Sequence, residues 1–236
     1  NLALDLSKKI KHKFYEAQAY RSIGMAILYQ QKFDSSLTLF YSALEIFTEL
    51  DSLKGVSEIY NLIGASYFYK GEFNKTLEFW KKELEINENN NDTNLIARGL
   101  MNLGVVHKNM DEYDRAISFY QQALKIREER KDSLEMAQIL NNIGNIYFQF
   151  RGNYTTALEN YIKALDIYKK KGDRDNEAHL LNSIGLIYYK QEQLKLSLDN
   201  LNQALSIFEE NKDKYKEKIA EVQTNLGLLH AKLGNF

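Results

Sequence analysis

The chain of 236 residues contains no cysteine, so it can form neither a disulfide bond nor a thiolate metal site. Its net charge is only −1 at pH 7, because 31 Lys and Arg residues are balanced by 32 Asp and Glu residues. No long-range field therefore favours nucleic acid or an acidic membrane. No apolar run approaches the ~18 residues needed to cross a bilayer. We therefore expect no nucleic-acid partner and no membrane contact for this chain and, since no targeting signal is visible, a cytoplasmic location.

Sequence patterns of catalysis are also missing. Every glycine of the repeating pattern described below stands alone, so no glycine-rich phosphate loop is formed, and no His carries an HExxH or Cys companion. The many carboxylates fall on helix faces expected to be solvated, so the sequence does not predict a cleft that holds a catalytic pair of carboxylates. The sequence thus predicts no enzyme active site, no cofactor and no metal site.

A glycine recurs at steps of 40, 40, 40, 41 and 42 residues. Each copy follows an apolar residue and precedes an aliphatic, aromatic or His residue by three positions. The six copies are Gly24, Gly64, Gly104, Gly144, Gly185 and Gly227. Repeats that each expose one apolar face cannot fold singly, so they stack into a solenoid with a concave surface. This organisation favours binding over catalysis.

The second half of each repeat carries a pattern Ala-Leu-x-Ile, in which Glu83 replaces the Ala of the second copy. Apolar residues at steps of three and four predict an amphipathic helix, so each repeat is a helix A, a turn and a helix B. Helix A is predicted near 15–30, 53–70, 93–110, 133–150, 174–191 and 214–233, and helix B near 34–50, 74–89, 114–130, 155–171 and 195–211. A glycine inside a helix is unfavourable, so we expect the six glycines to mark tight contact between the two helices of one repeat.

In these residues the chain resembles the tetratricopeptide repeat (TPR) family. Helix A carries the matching residues Tyr60, Ile63, Gly64 and Tyr67, and helix B carries Ala116, Tyr120 and Ala123. The period of 40 or more and the complete absence of proline resemble the long-repeat members: Leu-Gly-Asn repeat adaptors, kinesin light chains and bacterial TPR sensor arrays. The resemblance implies an all-α fold, a right-handed superhelix of antiparallel helix pairs.

The repeat register predicts a single TPR solenoid over 1–236. Residues 1–13 would end helix B of a preceding repeat, five repeats would follow, and 214–236 would supply helix A of a sixth, truncated repeat. The five repeats are expected near 14–51, 52–92, 93–132, 133–173 and 174–213. Both ends interrupt a repeat and the first residue is Asn, so we expect a fragment of a larger protein.

Two further patterns concern single residues. An Asp recurs before each later helix A and is expected to cap its first N–H groups: Asp51, Asp92, Asp132, Asp173 and Asp213. Asp132 with Glu135 has capping-box spacing. His107 and His230 occupy the position of Tyr67, three residues past the glycine, where we expect them to replace an aromatic ring in the core between helices.

The resemblance also implies where a ligand binds. In the family, helix A lines the concave groove through residues three before, one after, and four or five after the glycine. The clamp of Lys, Arg and Asn with which chaperone-tail receptors hold a terminal carboxylate is absent. Instead, Asn61, Asn141, Asn145 and Asn182 form a ladder of amides that can donate to and accept from a peptide backbone. Tyr69, Phe148 and Tyr189 flank them with apolar area.

The candidate peptide-binding site therefore comprises Arg98, Lys108, Asn141, Asn145, Gln149, Asn182 and Lys190. Its cations predict a partner protein or peptide with some acidic residues. The first two repeats present more apolar inner positions, namely Met25, Leu28, Ala65 and Phe68. The leading hypothesis is a module that binds a peptide or helical segment of another protein. The alternative is a sensory or regulatory array that controls a linked kinase or cyclase outside this fragment.

Overall fold

The computed structural model of the chain describes residues 12–234, and these residues form eleven α-helices joined by short turns. The helices are Lys13–Tyr29 (α1), Phe33–Glu49 (α2), Leu53–Tyr69 (α3), Phe73–Asn89 (α4), Thr93–Asn109 (α5), Tyr113–Arg130 (α6), Ser133–Gln149 (α7), Tyr154–Lys171 (α8), Arg174–Lys190 (α9), Leu194–Glu209 (α10) and Lys216–Leu233 (α11). Each end lies within about two residues of its predicted position. The odd-numbered helices are the predicted A helices and the even-numbered ones are the B helices.

The helices pack in sequential antiparallel pairs. Helix α1 packs on α2, α2 on α3, and the same order continues through α5; from α7 to α11 each helix again packs on the next. The predicted all-α fold of antiparallel helix pairs is therefore confirmed.

The chain divides into two compact units, Asn1–Ile126 and Arg127–Phe236, with the boundary inside α6. The single solenoid over 1–236 and its division into repeats stay predictions. The expected helix B at 1–13 falls largely on residues 1–11, which lie outside the described residues, and Lys13 already begins α1.

Five of the six repeating glycines lie against a large side chain of the following helix B. A Cβ atom added to Gly24 would lie 2.5 Å from the Phe40 ring, and one added to Gly144 would lie 2.6 Å from the Tyr161 ring. Gly64 faces Trp80, Gly104 faces Tyr120 and Gly185 faces Leu201 in the same way. The predicted role of these five glycines is confirmed. Gly227 differs, because no other helix among the described residues has an atom within 4 Å of its added Cβ.

The buried side chains come from the periodic apolar positions. In the first unit, Phe40, Phe47, Ile59 and Ile63 are fully buried in one cluster. In the second unit, Leu201, Phe208, Val222 and Leu229 belong to the corresponding cluster. Steps of three and four residues place such side chains on one face of each helix, so the A and B helices within each unit pack through apolar faces.

The predicted aspartate caps are only partly present. The Asp92 carboxylate accepts from the backbone N–H groups of Asn94 and Leu95, both at 3.1 Å, and Asp173 accepts from Asn176 at 3.1 Å. These two caps are confirmed.

The remaining aspartate caps are wrong. Ser52, not Asp51, caps α3, and Tyr215, not Asp213, precedes α11. Asp132 occupies the N-cap position of α7 but makes no capping bond, so the expected capping box with Glu135 is not formed. Arginines draw this carboxylate away, because Asp132 lies 2.8 Å from Arg130 and 3.1 Å from Arg127.

Candidate functional site

The seven predicted site residues are shared between the two units. Arg98 and Lys108 lie on α5 in the first unit. The other five lie on α7 and α9 in the second unit: Asn141, Asn145, Gln149, Asn182 and Lys190. The structure gives each of them different neighbours.

Arg98 is held by a buried carboxylate. Glu83, the residue that replaces the repeat's Ala, is fully buried on α4, and its Oε1 accepts from Arg98 Nη2 at 2.9 Å. Its Oε2 accepts from Asn61 Nδ2 at 2.8 Å. The backbone carbonyl of Asn61 in turn accepts from Trp80 Nε1 at 3.2 Å. Arg98 still exposes 42% of its side chain, so one part of the guanidinium is fixed and another part faces solvent.

Lys108 lies near the other end of α5, four residues after Gly104. It is half-buried and makes no ion pair within residues 12–234. Its charge is therefore available to an external carboxylate, unlike that of Arg98.

Asn145 is oriented by a tyrosine. Tyr161 is buried on α8, and burial raises the pKa of its hydroxyl, which therefore stays protonated and acts as a donor. This hydroxyl donates to Asn145 Oδ1 at 2.6 Å. The amide NH2 of Asn145 is thereby left as the group that can meet a ligand.

Asn182 differs from the expected ligand-facing amide, because it is only 6% exposed. Its Nδ2 donates to Glu221 Oε1 at 3.1 Å, and its Oδ1 accepts from Asn225 Nδ2 at 3.0 Å. Both partners lie on α11, so Asn182 joins α9 to the next A helix.

The side chains of Asn141, Gln149 and Lys190 make no hydrogen bond or ion pair within the part of the chain that the structure describes. Asn141, Asn145 and Gln149 follow one another at steps of four on α7 and therefore lie on one face of this helix. Gln149 and Lys190 are exposed. This face of α7 presents a row of three amides that are not fully used internally.

The first unit contains an apolar pocket between α1 and α3, with a volume of about 550 Å³. It is lined by Met25, Leu28, Tyr29, Gln31, Phe33, Leu62, Ala65 and Tyr69. Met25 and Ala65 each follow a repeating glycine directly, and Leu28 lies four residues after Gly24. At these positions, one and four residues after the glycine, the family resemblance predicted groove residues.

Two tyrosines at equivalent positions border this pocket. Tyr29 and Tyr69 each lie five residues after a repeating glycine and are 82% and 64% exposed. The Tyr69 ring stacks on Phe33, with centroids 6.2 Å apart and an angle of 12° between the planes. The repeat register did not predict Phe33, at the start of α2, as a pocket residue. It did predict Phe68 at the inner surface, and the Phe68 ring stacks on Trp80 with centroids 5.8 Å apart.

The two histidines have different environments. His107 is 4% exposed, stacks on Phe119 at 5.2 Å and has its Nδ1 2.5 Å from Glu112 Oε2, so its predicted core position is confirmed. His230 is exposed on α11, and its predicted core position is wrong. Among residues 12–234, no group of three or more His, Asp or Glu side chains could hold a metal ion. None of the eleven helices has the length and apolar character needed to cross a membrane.

A family model described as tetratricopeptide repeat matches residues 55–129, 135–210 and 177–236, which together cover most of the chain. The chain belongs to the tetratricopeptide repeat family. TPR domains typically bind proteins or peptides and are generally non-catalytic, and no catalytic family is indicated. The TPR fold thus accounts for the repeating glycines and the A–B helix pairs. No curated protein sequence matches the chain.

Solved structures show the same TPR fold at low sequence identity. The chain resembles the apo form of RapI, with a TM-score of 0.81 and 19% identity over 95% of this chain and 63% of that one. The apo quorum sensor NprR from B. thuringiensis gives 0.76 and 18% over 93% and 62%. A Rap protein complexed with Competence and Sporulation Factor gives 0.69 and 15% over 88% and 57%. The chain thus spans about three fifths of these three proteins.

Proposed function

We propose that this TPR chain binds a peptide or helical segment of a partner protein on the surface formed by its A helices. The observation that carries the proposal is the row of amides on α7. Among residues 12–234 the side chains of Asn141 and Gln149 have no partner, and Tyr161 leaves the Asn145 NH2 group available. An amide that both donates and accepts can pair with a peptide backbone of any sequence, as a binding module requires.

The seven proposed site residues then have unequal roles. Lys108 and Lys190 attract acidic residues of the partner, because neither makes an ion pair within residues 12–234. Arg98 and Asn182 support the surface from within, through Glu83 and through Glu221 with Asn225. Asn182 contacts a partner only if the partner replaces its internal bonds, whereas Arg98 still exposes 42% of its side chain. The solved complex of a Rap protein with Competence and Sporulation Factor is consistent with a binding role for this fold.

A displayed library of random peptides, selected on the purified chain, tests the proposal. Peptides enriched on the wild-type chain should bind the double variant Asn141→Ala, Asn145→Ala about 1–3 kcal/mol more weakly if both amides contact the peptide backbone. The matched control is Asn202→Ala, which changes an exposed amide on the B helix α10. Equal affinity for the double variant and the control would move the site elsewhere, and failure to enrich any peptide would refute the function.

A regulatory array is the second candidate, and the likeness to the quorum sensor NprR favours it. In this case the chain would control a linked kinase or cyclase. The test is the complete open reading frame, followed by an assay of the full-length product with and without an enriched peptide. An unchanged catalytic rate, or an open reading frame without an output domain, would refute this candidate and leave the first untouched.

A further inference from the structure

The pocket between α1 and α3 has the character of a binding site for an apolar side chain. Its floor and walls include Met25 and Leu28 from α1 and Ala65 from α3, and its volume is about 550 Å³. Pockets of ~300–1,000 Å³ with mainly apolar walls are typical of binding sites in proteins. There is space for one or two bulky side chains.

Two exposed tyrosines lie at the mouth of the pocket. Tyr29 and Tyr69 expose most of their surface, although a large ring is stabilised by burial. Clustered exposed apolar surface of this kind marks interaction sites. A tyrosine also suits a peptide contact, since its ring packs on a side chain while its hydroxyl bonds to the backbone.

One cation beside the pocket has no opposite charge bound to it among residues 12–234. Lys32 lies between the lining residues Gln31 and Phe33, and within these described residues its ammonium group bonds only to the neutral Gln30 side chain, at 3.2 Å. By contrast, the nearby carboxylates Asp34 and Glu72 are already ion-paired: both contact Lys70, at 2.5 Å and 3.0 Å, and Glu72 also contacts Lys75 at 2.7 Å.

A second cation extends this charge along the same register. Lys108 on α5 lies four residues after Gly104, as Leu28 lies four after Gly24. It makes no ion pair within residues 12–234, and the adjacent Asp111 accepts a hydrogen bond from Tyr113 at 2.6 Å. An extended segment that crosses α1, α3 and α5 at the position four residues past the glycines would contact the apolar walls of the pocket first and the Lys108 ammonium group next.

We propose that the pocket anchors a bulky apolar residue, such as Leu or Phe, of a partner segment that carries Asp or Glu within a few residues of this anchor. This inference rests on the proposed binding function and specifies its partner. The apolar walls select the anchor, and Lys32 and Lys108 select the acidic neighbours by charge complementarity. The first unit contains every residue that the proposal needs.

The peptide selection described above tests the anchor. Enriched peptides should share a bulky apolar residue close to Asp or Glu, and replacing this residue with Ser should weaken binding about tenfold or more. The protein variant Tyr29→Ser, Tyr69→Ser should cause a similar loss. Its control is Tyr15→Ser, which removes an exposed ring from α1 outside the pocket. Tyr29→Ser alone serves as a second variant, because this ring is so exposed that folding should not depend on it.

The charges are tested separately. The variant Lys32→Gln, Lys108→Gln should bind the enriched peptide several-fold more weakly at low salt, and the difference should shrink as salt is added. The control Lys81→Gln, Lys125→Gln removes two exposed lysines of the same unit. Equal losses in the two lysine variants would refute the charge selection.

The outcomes distinguish this inference from the function beneath it. Peptides whose binding depends on Tyr29 and Tyr69 support the inference. Peptides that bind but respond to Asn141→Ala, Asn145→Ala and not to the tyrosine variants overturn it while the binding function holds. If the wild-type chain enriches no peptide, both are overturned.

Discussion

The guanidinium group of Arg98 lies 2.9 Å from the carboxylate of Glu83, a residue with no solvent exposure at a position where four other repeats have alanine. Asn61 binds the second oxygen of this carboxylate, so the charge is satisfied by two side chains from the A helices on either side of α4. A buried charge is tolerated only when it is paired and hydrogen-bonded. The pair therefore couples α4 to both A helices beside it, α3 and α5.

The substitution Arg98→Met should destabilise the chain by about 1–3 kcal/mol, because it leaves the Glu83 carboxylate buried without its cation. The double variant Glu83→Gln, Arg98→Met should recover much of this loss, since a neutral amide replaces the buried charge. Thermal and urea unfolding followed by circular dichroism measure both.

The control is Arg115→Met, which removes a much more exposed arginine from its ion pair with Glu112 and should cost about 0–1 kcal/mol. If Arg98→Met were no more harmful than Arg115→Met, the Glu83 pair would contribute no more than a surface contact.

The helices could be predicted from sequence because the same spacing of apolar residues and glycines recurs about every 40 residues. Gly24 and Gly144 occupy equivalent positions in this pattern, and their spacing predicted the close helix contact of five glycines. Gly227 breaks the rule, because no described helix B lies opposite it. Periodicity identifies the face of a helix, whereas the contact itself requires the second helix.

The candidate site was less predictable, because it depends on which polar partners meet between helices. Register placed Asn182 at the inner surface, but Glu221, 39 residues later, and Asn225 bind it internally. The replacement of alanine by Glu83 was a visible signal, yet its pairing with Arg98 could not be inferred from spacing alone. Likewise, Phe33 joins the pocket from the first position of α2, a B helix, whereas the register assigned the groove to the A helices.

Gly144→Ala should destabilise the second unit by about 1–3 kcal/mol through overpacking. The added Cβ would meet the buried Tyr161 ring at 2.6 Å, and the hydrogen bond to Asn145 hinders movement of this ring. Gly144→Leu should cost at least as much.

Gly227→Ala is the matched control, and it should stabilise α11 by about 0.5–1 kcal/mol, since alanine is the better helix former and the site is open. The same glycine-to-alanine change should therefore lower the melting temperature at Gly144 and raise it at Gly227. Equal shifts would mean that the glycine contact with helix B does not determine the effect.

Asp92→Ala should cost about 1 kcal/mol, because the Asp92 side chain caps two N–H groups at the start of α5. Asp132→Ala removes ion pairs to Arg127 and Arg130 instead of a cap bond. Melting curves at low and high salt separate the two: added salt should erase most of the Asp132→Ala effect and little of the Asp92→Ala effect. The same salt response in both variants would contradict the assignment.

Asp175 should make the second unit sensitive to acid. Hydrogen bonds from Lys214, at 2.7 Å, and from Tyr215 hold the pKa of this carboxyl below its ordinary value of 3.8. A carboxyl whose pKa is lower in the folded state contributes stability above its unfolded pKa and loses it as pH falls through the folded value. The contribution is therefore complete at neutral pH, begins to fall at about pH 4, and is lost as pH drops further through the lower pKa of the folded state. Between pH 7 and pH 3 the melting temperature of Asp175→Asn should fall less than that of the wild-type chain.

The control is Asp199→Asn, which changes an exposed carboxylate of the same unit that makes no ion pair within residues 12–234. Its melting temperature should fall as steeply as that of the wild type. An Asp175→Asn chain that loses stability in acid as steeply as the wild type would show that the Lys214 contact does not shift this group.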